Sequence, residues 1–516
     1  MIDKAKLSIT HSLSGKNVLV TGTTGFVGKV IVEKLLRDIP DIGGIYLLIR
    51  GNKNYPDANE RFVHEIACSS IFDRLKAGGE LGFQQLCNHK IHCITGEVTE
   101  SQFGLEGEQF KSLAKKVDVV INSAASVNFR EALDQALSIN ALCLYNTVVF
   151  SKLAGQIPVL QVSTCYVNGF NQGDMYEENV KPFSNLIPIN KDGYYELDAL
   201  LDDLQGKISK LKKRYSGDVL ENKLIDLGIA ESNRYGWNDT YTFTKWMGEQ
   251  ILRKELQGTS LTILRPAIVE SALIGPSPGW IEGVKVADAI LMAYAREKVV
   301  FFPGDPNGIV DIIPVDLVAN SIVVSVAELL KKQLKNQIKS QNKHRVYQCC
   351  SSGVNPVKIR QLIKFTQQEA DKNHLKHDRL FCRKPKRPFI MVSKKLFLAM
   401  MNAVKLPVVG INKISKLFGG DAQGKMLENL DTAMKLSTVF SFYTQPSYIF
   451  HNDKLMELHN QLSEADRAMF PVDATLIDWE EYIRNTHIPG LNQYALKERK
   501  PPTQITEQAQ CNIKAA

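Results

Sequence analysis

Tyr241 and Lys245 stand four residues apart in Asp239-Thr-Tyr-Thr-Phe-Thr-Lys-Trp246. On a helix this spacing puts both side chains on one face, close enough to couple. A free phenol titrates near ~10, too high for easy proton exchange at neutrality. A neighbouring ammonium favours phenolate and is expected to lower that pKa, so that the phenol can protonate a carbonyl oxygen as hydride reaches its carbon. Alone, the pair is common on solvated helices. Upstream, Asn17-Val-Leu-Val-Thr21-Gly-Thr-Thr-Gly-Phe-Val-Gly28 supplies what such chemistry needs. Val18–Val20 read as a buried strand, and the periodic run over 27–35 reads as the helix that follows. Gly22, Gly25 and Gly28 fall at the turn between them. Glycines there allow a tight bend, close approach of backbone amides to a pyrophosphate, and close packing of helix on sheet. Thr21, Thr24, Phe26 and Val27 complete the expected dinucleotide cradle.

The elements that must position these residues follow from hydrophobic period. Short apolar strands are expected at 17–20, 45–49, 91–95, 117–122, 159–163, 261–264 and 346–350. Helical patterns run roughly over 57–72, 131–153, 240–257 and 284–297. Alternation of this kind predicts a doubly wound parallel sheet. The second strand ends at Arg50, followed by Asn52 and Lys53. An acidic residue there would grip the ribose 2′-hydroxyl of NAD, whereas a guanidinium suits a 2′-phosphate. The cofactor expected from Arg50 and Lys53 is NADPH; an ordinary loop cation is the competing reading of Arg50. The fifth strand runs into Ser163-Thr164-Cys-Tyr-Val-Asn-Gly169, so its hydroxyls face the crevice at the strand ends. A hydroxyl that merely caps the turn is the alternative there. Ser123, Ala124 and Ala125, after the fourth strand, are small enough to let backbone pass close to a cofactor. Cys165 raises covalent thioester chemistry, but no histidine pair accompanies it, and a packing cysteine is the favoured reading.

Composition bounds the rest. The chain has 516 residues, 44% hydrophobic, and a net charge of +8, enough to favour acidic ligands without demanding nucleic acid. No signal-peptide pattern and no run of about 18 apolar residues is present, and nine cysteines without Cys-x-x-Cys spacing suit a reducing compartment. A cytoplasmic protein is expected, with no metal site. Residues 1–374 are expected to form the reductase domain, interrupted by an insertion at about 170–236. Residues 375–516 are expected to form a mainly helical C-terminal domain. In the latter, Arg383, Lys384, Lys386 and Arg387 adjoin an apolar run from Phe389, a pattern that suits phosphates or a lipid surface. Peripheral contact with the inner membrane surface is the expectation, and a solvated cationic loop is the alternative. Oligomerisation stays open.

The segment Thr21–Gly28 resembles the opening motif of the extended short-chain dehydrogenase/reductase family. Further segments resemble its alcohol-forming fatty acyl-CoA reductases: Ile49-Arg-Gly-Asn-Lys53, Gly96-Glu-Val98, Asn122-Ser-Ala-Ala-Ser-Val-Asn-Phe129, Val162-Ser-Thr-Cys-Tyr-Val-Asn168, Pro278-Gly-Trp-Ile-Glu-Gly283, Asp311-Ile-Ile-Pro-Val-Asp316 and Gly490-Leu-Asn-Gln-Tyr494. The match runs from about residue 15 to 500 and looks closest to soluble bacterial members. The resemblance implies that Thr164 is the catalytic hydroxyl beside Tyr241 and that Lys245 holds the nicotinamide ribose. It further implies that Asn140 supports the site and that Pro266 and Ile268 meet the nicotinamide amide. Gly96-Glu97-Val98 departs mildly from the family's Gly-Asp pair. Also implied are a fatty acyl-CoA substrate, a fatty aldehyde intermediate and a primary alcohol product. A nucleotide-sugar-modifying reductase, an enzyme stopping after one two-electron step, and a non-catalytic dinucleotide sensor are the rival readings.

Overall fold

The computed structural model describes residues 6–297, 301–334, 344–386, 389–417, 434, 441–443 and 448–496. Seven strands form its centre: β1 (Asn17–Thr21), β2 (Gly44–Ile49), β3 (Ile91–Thr95), β4 (Val119–Asn122), β5 (Val159–Val162), β6 (Leu261–Pro266) and β7 (His344–Cys349). All pair in parallel, in the order β3-β2-β1-β4-β5-β6-β7. β1, β4, β5 and β6 are almost wholly buried, as strands covered on both faces must be, which is why they read as continuous apolar runs rather than alternating ones. Strand order reverses between β1 and β4, and a crevice opens beyond their carboxyl ends. A polar ladder crosses the sheet there. Thr21 Oγ1 donates to Asn122 Oδ1 at 2.5 Å, and Asn122 Nδ2 donates to Gln161 Oε1 at 2.7 Å.

The helix Thr240–Glu255 lies against this sheet and carries Tyr241 and Lys245. Asp239 caps it, accepting from Thr242 N at 2.8 Å. Phe243, Trp246, Met247, Ile251 and Leu252 are buried on it, each worth about 1.5–3 kcal/mol when fully buried. Tyr241, Lys245 and Glu249 follow at successive spacings of four, so they share one stripe. Glu249 meets Arg265 of β6 in a two-pronged ion pair at 2.8 and 2.5 Å, both side chains 0% exposed. Gly248 is required where helices cross, because a Cβ there would lie 2.5 Å from the Asn140 carbonyl oxygen.

The expected helix over 131–153 is broken. Leu133–Leu137 and Leu144–Leu153 flank a π turn at Ser138–Leu142. This stretch is also long and apolar enough to cross a membrane by composition, a feature the search for uninterrupted apolar runs missed. It lies in the interior, with 56% of its most apolar window buried. The helix expected over 57–72 is likewise split, into Ala58–Arg61, a π turn at Phe62–Ala67 and a 3-10 turn at Ser70–Phe72.

Within 170–236 stand two long helices, Asp198–Arg214 and Gly217–Tyr235. The basic run that ends the first is partly neutralised, Lys207 by Asp203 and Glu231, Lys212 by Asp134. The C-terminal residues complete the core begun by the sheet. Tyr448–Phe450 pairs with Gly173–Met175, Leu7 bridges to Leu462, and Phe450, Phe470 and Tyr482 are buried in the same cluster as Val18 and Ile45. In the cationic segment, Arg383 pairs with Glu297 at 2.7 Å and Lys384 with Asp371 at 3.0 Å, so two of the charges expected to meet phosphates are already matched. Arg387 lies outside the described residues.

Glu249→Gln leaves Arg265 charged in a dry interior. Removing one partner of a buried pair costs about 3–5 kcal/mol. Chemical denaturation is expected to show a loss of that size, and the double change Glu249→Gln with Arg265→Met should recover part of it. A loss below about 1 kcal/mol in the single variant would remove the pair from this role.

Candidate active site

A cleft of about 810 Å³ opens at the carboxyl ends of the strands. Gly22, Thr24, Gly25, Phe26, Val27 and Gly28 form one wall. The backbone is forced there: Gly22 has φ of +73°, its Cβ would stand 2.6 Å from Ala124 N, and a Cβ on Gly28 would stand 2.3 Å from Gly22 O. Helix Phe26–Asp38 begins at this turn with no acidic residue in its first turn, so its free N–H groups present positive potential to the cleft. Thr23 Oγ1 is buried there without a protein partner. An orphaned hydroxyl, open glycines and a helix N-terminus fit a dinucleotide pyrophosphate.

Arg50, Glu97, Val98, Ser123, Ala124 and Ala125 line the next stretch, and Ser163, Thr164, Tyr241, Lys245, Pro266 and Ile268 line the far end. Three expected residues do not reach the cleft wall. Lys53 is exposed on the loop beyond β2. Thr21 is buried behind the wall, accepting from Ala124 N at 3.2 Å through its hydroxyl and from Ser123 Oγ at 2.6 Å through its carbonyl. Asn140 is a brace. Its Oδ1 accepts from Ser126 N at 3.0 Å, and its Nδ2 donates to Ser126 O at 3.2 Å and Thr244 Oγ1 at 3.1 Å, tying the loop after β4 to the Tyr241 helix.

The electrostatics differ from expectation at the tyrosine. Lys245 Nζ is buried and donates to the Val162 carbonyl at 2.6 Å, and burial lowers its pKa to about 8. Tyr241 is raised rather than lowered: burial is the main cause, the Asp239 charge adds to it, and a hydrogen bond with Thr164 opposes it. The ammonium therefore does not act as the phenol's counter-charge in this arrangement, because a carbonyl holds it. Thr164 does both things open to it, meeting Tyr241 and accepting from Tyr166 N at 3.3 Å as the cap of the turn Cys165–Asn168. Cys165 is fully buried, donates to the Arg265 carbonyl at 3.0 Å, and is absent from the cleft wall. Burial raises its thiol pKa, the opposite of an activated nucleophile.

At the adenosine end, Arg50 Nη1 lies 3.2 Å from Glu97 Oε2, with its side chain 66% exposed. Arg61, which the spacing did not suggest, also lines the cleft and donates to the Arg50 carbonyl at 2.5 Å. Other wall residues missed in the sequence are apolar, aliphatic ones such as Ile139 and Val269 and three aromatic ones. Phe129 sits edge-on to Tyr241 at 5.7 Å, Tyr443 is 5.1 Å from Phe129, and Tyr166 is 4.8 Å from Tyr443. Tyr443 Oη donates to Asp239 Oδ2 at 2.7 Å, so the C-terminal region touches the cap of the Tyr241 helix. No periodicity announces such a contact across two hundred residues.

Glu270, Asp288 and His487, far apart in the sequence, converge in the interior. His487 Nε2 lies 2.9 Å from Asp288 Oδ1 and its Nδ1 2.9 Å from Ser271 Oγ. Glu270 is pushed well up by burial and then by Asp288. The three are bonded into an internal network behind the strand that carries Ile268.

A family model described as "Male sterility protein", of the NAD-binding type, matches residues 20–322, and a second with that description matches 404–498. Fatty acyl-CoA reductase 2, chloroplastic, of Arabidopsis thaliana is 34% identical, over 96% of this chain and 81% of that protein. The alcohol-forming fatty acyl-CoA reductase of Simmondsia chinensis is 27% identical, over 95% of this chain and 99% of that one. Such plant relatives lend no support to the expected soluble bacterial type. Among solved structures, the terminal R domain of the myxalamid PKS-NRPS pathway shares the fold, with a TM-score of 0.56 at 15% identity and 95% of each chain covered. With its Rossmann-type parallel sheet, its nucleotide cradle and its near full-length likeness to these proteins, the chain belongs to the fatty acyl-CoA reductases of the extended short-chain dehydrogenase/reductase family, and is an oxidoreductase.

Proposed function

We propose that the chain reduces long-chain fatty acyl-CoA to a primary alcohol, by two successive hydride deliveries from NADPH with a fatty aldehyde between them. The observation that carries this reading is the meeting of Thr164, Tyr241 and Lys245 with the glycine cradle in one cleft whose remaining wall is largely apolar, with aliphatic side chains such as Ile139 and Val269 beside Phe129, Tyr166 and Tyr443. Bound NADPH supplies the hydride in each step. Gly22–Gly28 and the helix after them would hold the pyrophosphate, and Arg50 with Arg61 would hold the 2′-phosphate. Thr164 and Tyr241 hold the thioester oxygen. The raised pKa of Tyr241 keeps its proton on the phenol until negative charge develops on that oxygen. Lys245 would leave the Val162 carbonyl for the ribose and support the phenolate. Collapse of the hemithioacetal passes its hydroxyl proton to the departing sulfur and releases coenzyme A as thiol; Tyr241, reprotonated from solvent, then protonates the aldehyde oxygen in the second reduction while Thr164 holds it. Arg50, standing where an acidic ribose ligand would follow β2, argues against the nucleotide-sugar reading.

Tyr241→Phe removes the proton donor and leaves the cradle whole. Turnover of acyl-CoA and of aldehyde should fall on the order of 10²–10⁴-fold, with NADPH binding retained in fluorescence titration. A variant keeping a third of the rate on both substrates contradicts the assignment. Arg50→Asp should raise the Michaelis constant for NADPH roughly ten- to a hundredfold, the worth of a charged phosphate contact, and change that for NADH less. Equal responses would leave Arg50 as a loop cation. Cys165→Ala should keep most activity; an acyl group trapped on Cys165 in intact-protein mass spectra overturns direct hydride attack.

A further inference from the structure

The aromatic wall does not stop at the cleft. From Tyr241, rings continue through Phe129 at 5.7 Å, Tyr443 at 5.1 Å, Phe442 at 5.3 Å, Phe170 at 6.0 Å and Phe183 at 6.3 Å. The line runs outward. Tyr443 is buried, Phe129, Phe442 and Phe170 are half-buried, and Phe183 is 58% exposed. Beyond Phe183 the loop presents Leu186 and Ile189, 56% and 57% exposed. Three large apolar side chains in seven residues form a lip rather than scattered surface.

This line is fixed in place. Gly236, in the left-handed region at φ +109°, ends the helix Gly217–Tyr235, and its carbonyl accepts from Phe170 N at 2.9 Å. A Cβ on Gly236 would lie 2.8 Å from Phe183 Cβ, so the glycine seats both rings. Tyr443 spends its hydroxyl on Asp239, which leaves its ring as an apolar surface.

We propose that this line of rings is the track of the substrate's acyl tail, running from the carbonyl held at Tyr241 to the lip at Phe183, Leu186 and Ile189. The proposal rests on the fatty acyl reading above and gives that site its length selectivity. Contact with the cleft is the argument: Phe129 and Tyr443 belong to its wall, and ring contacts carry the apolar surface on through Phe442 and Phe170 to Phe183. An alkyl chain whose carbonyl sits beside Tyr241 meets Phe129 and Tyr443 next, and each methylene laid on apolar surface adds about 0.8 kcal/mol. The longer the chain, the further it extends along this line toward the lip.

The test replaces Phe183, Leu186 and Ile189 together by serine, all on an exposed loop remote from the reacting carbonyl. Michaelis constants are measured with palmitoyl-CoA and hexanoyl-CoA, below their micellar concentrations. The ratio of palmitoyl to hexanoyl constant should rise about tenfold. An unchanged ratio overturns the track. A change seen only when palmitoyl-CoA is presented on phospholipid vesicles, and not in free solution, makes the lip a membrane contact and also overturns it. Failure of the wild-type protein to reduce either thioester sinks the underlying reading instead. As a second measure, palmitoyl-CoA bearing a terminal diazirine should, on illumination, label residues within 183–189, as located by fragment-ion sequencing. Labelling confined to other residues contradicts the track even if the triple variant misfolds.

Discussion

Glu249 and Arg265 bond to each other without any exposure to solvent, and the cleft depends on where that pair holds one helix. Burial raises the Glu249 carboxyl, but the charge and hydrogen bonds of Arg265 outweigh it and keep the pKa low. A charged carboxylate so deep can persist only against this guanidinium, so the helix has one seat on β6. Lys245 lies one turn before Glu249 and Tyr241 two turns before, on the same stripe. Fixing Glu249 therefore fixes the reach of the phenol and the ammonium. Asp239 fixes the other end of the helix, with Thr242 on one oxygen and Tyr443 on the other.

Held in this way, the helix faces a sheet whose carboxyl ends are tied laterally by Thr21, Asn122 and Gln161. Asn140 locks the loop after β4 to Thr244. Glycine cradle, hydroxyl turn and the helix of Tyr241 thus form three braced walls. A further wall, of Phe129, Tyr166 and Tyr443, comes partly from the C-terminal region, whose apolar residues finish the core begun by β1 and β2. Tyr241 stands where the polar and the aromatic walls meet, bonded to Thr164 and edge-on to Phe129.

Much of this was legible in the sequence, for physical reasons. The inner strands β1, β4, β5 and β6 are apolar runs because they are covered on both faces, and Gly22 and Gly28 mark places without room for a Cβ. Tyr241 and Lys245 were singled out because the chemistry restricts their types, and Thr164 because the resemblance pointed to it; all three line the cleft. Other features escaped. The π turn at Ser138–Leu142 leaves the apolar period almost unbroken, so 131–153 read as one helix. Thr21 was read as part of the cradle, yet it holds the wall from behind, and spacing does not separate the two roles; Asn140 was read as a support and braces the loop after β4. Arg61, Phe129 and Tyr443 reach the cleft through tertiary contacts alone. The direction of the Tyr241 shift depends on burial and on where Lys245 Nζ points, and neither is written in the interval of four residues.

The central claim is that this cleft carries an acyl thioester through two hydride transfers to an alcohol. It is tested most directly by supplying palmitoyl-CoA with NADPH deuterated at the transferred position of its nicotinamide ring. Mass spectrometry of the product should show primary alcohol with two deuterium atoms on its first carbon, and one free thiol for every two NADPH consumed. Aldehyde carrying a single deuterium as the end product, or thiol released without NADPH oxidation, would contradict the account.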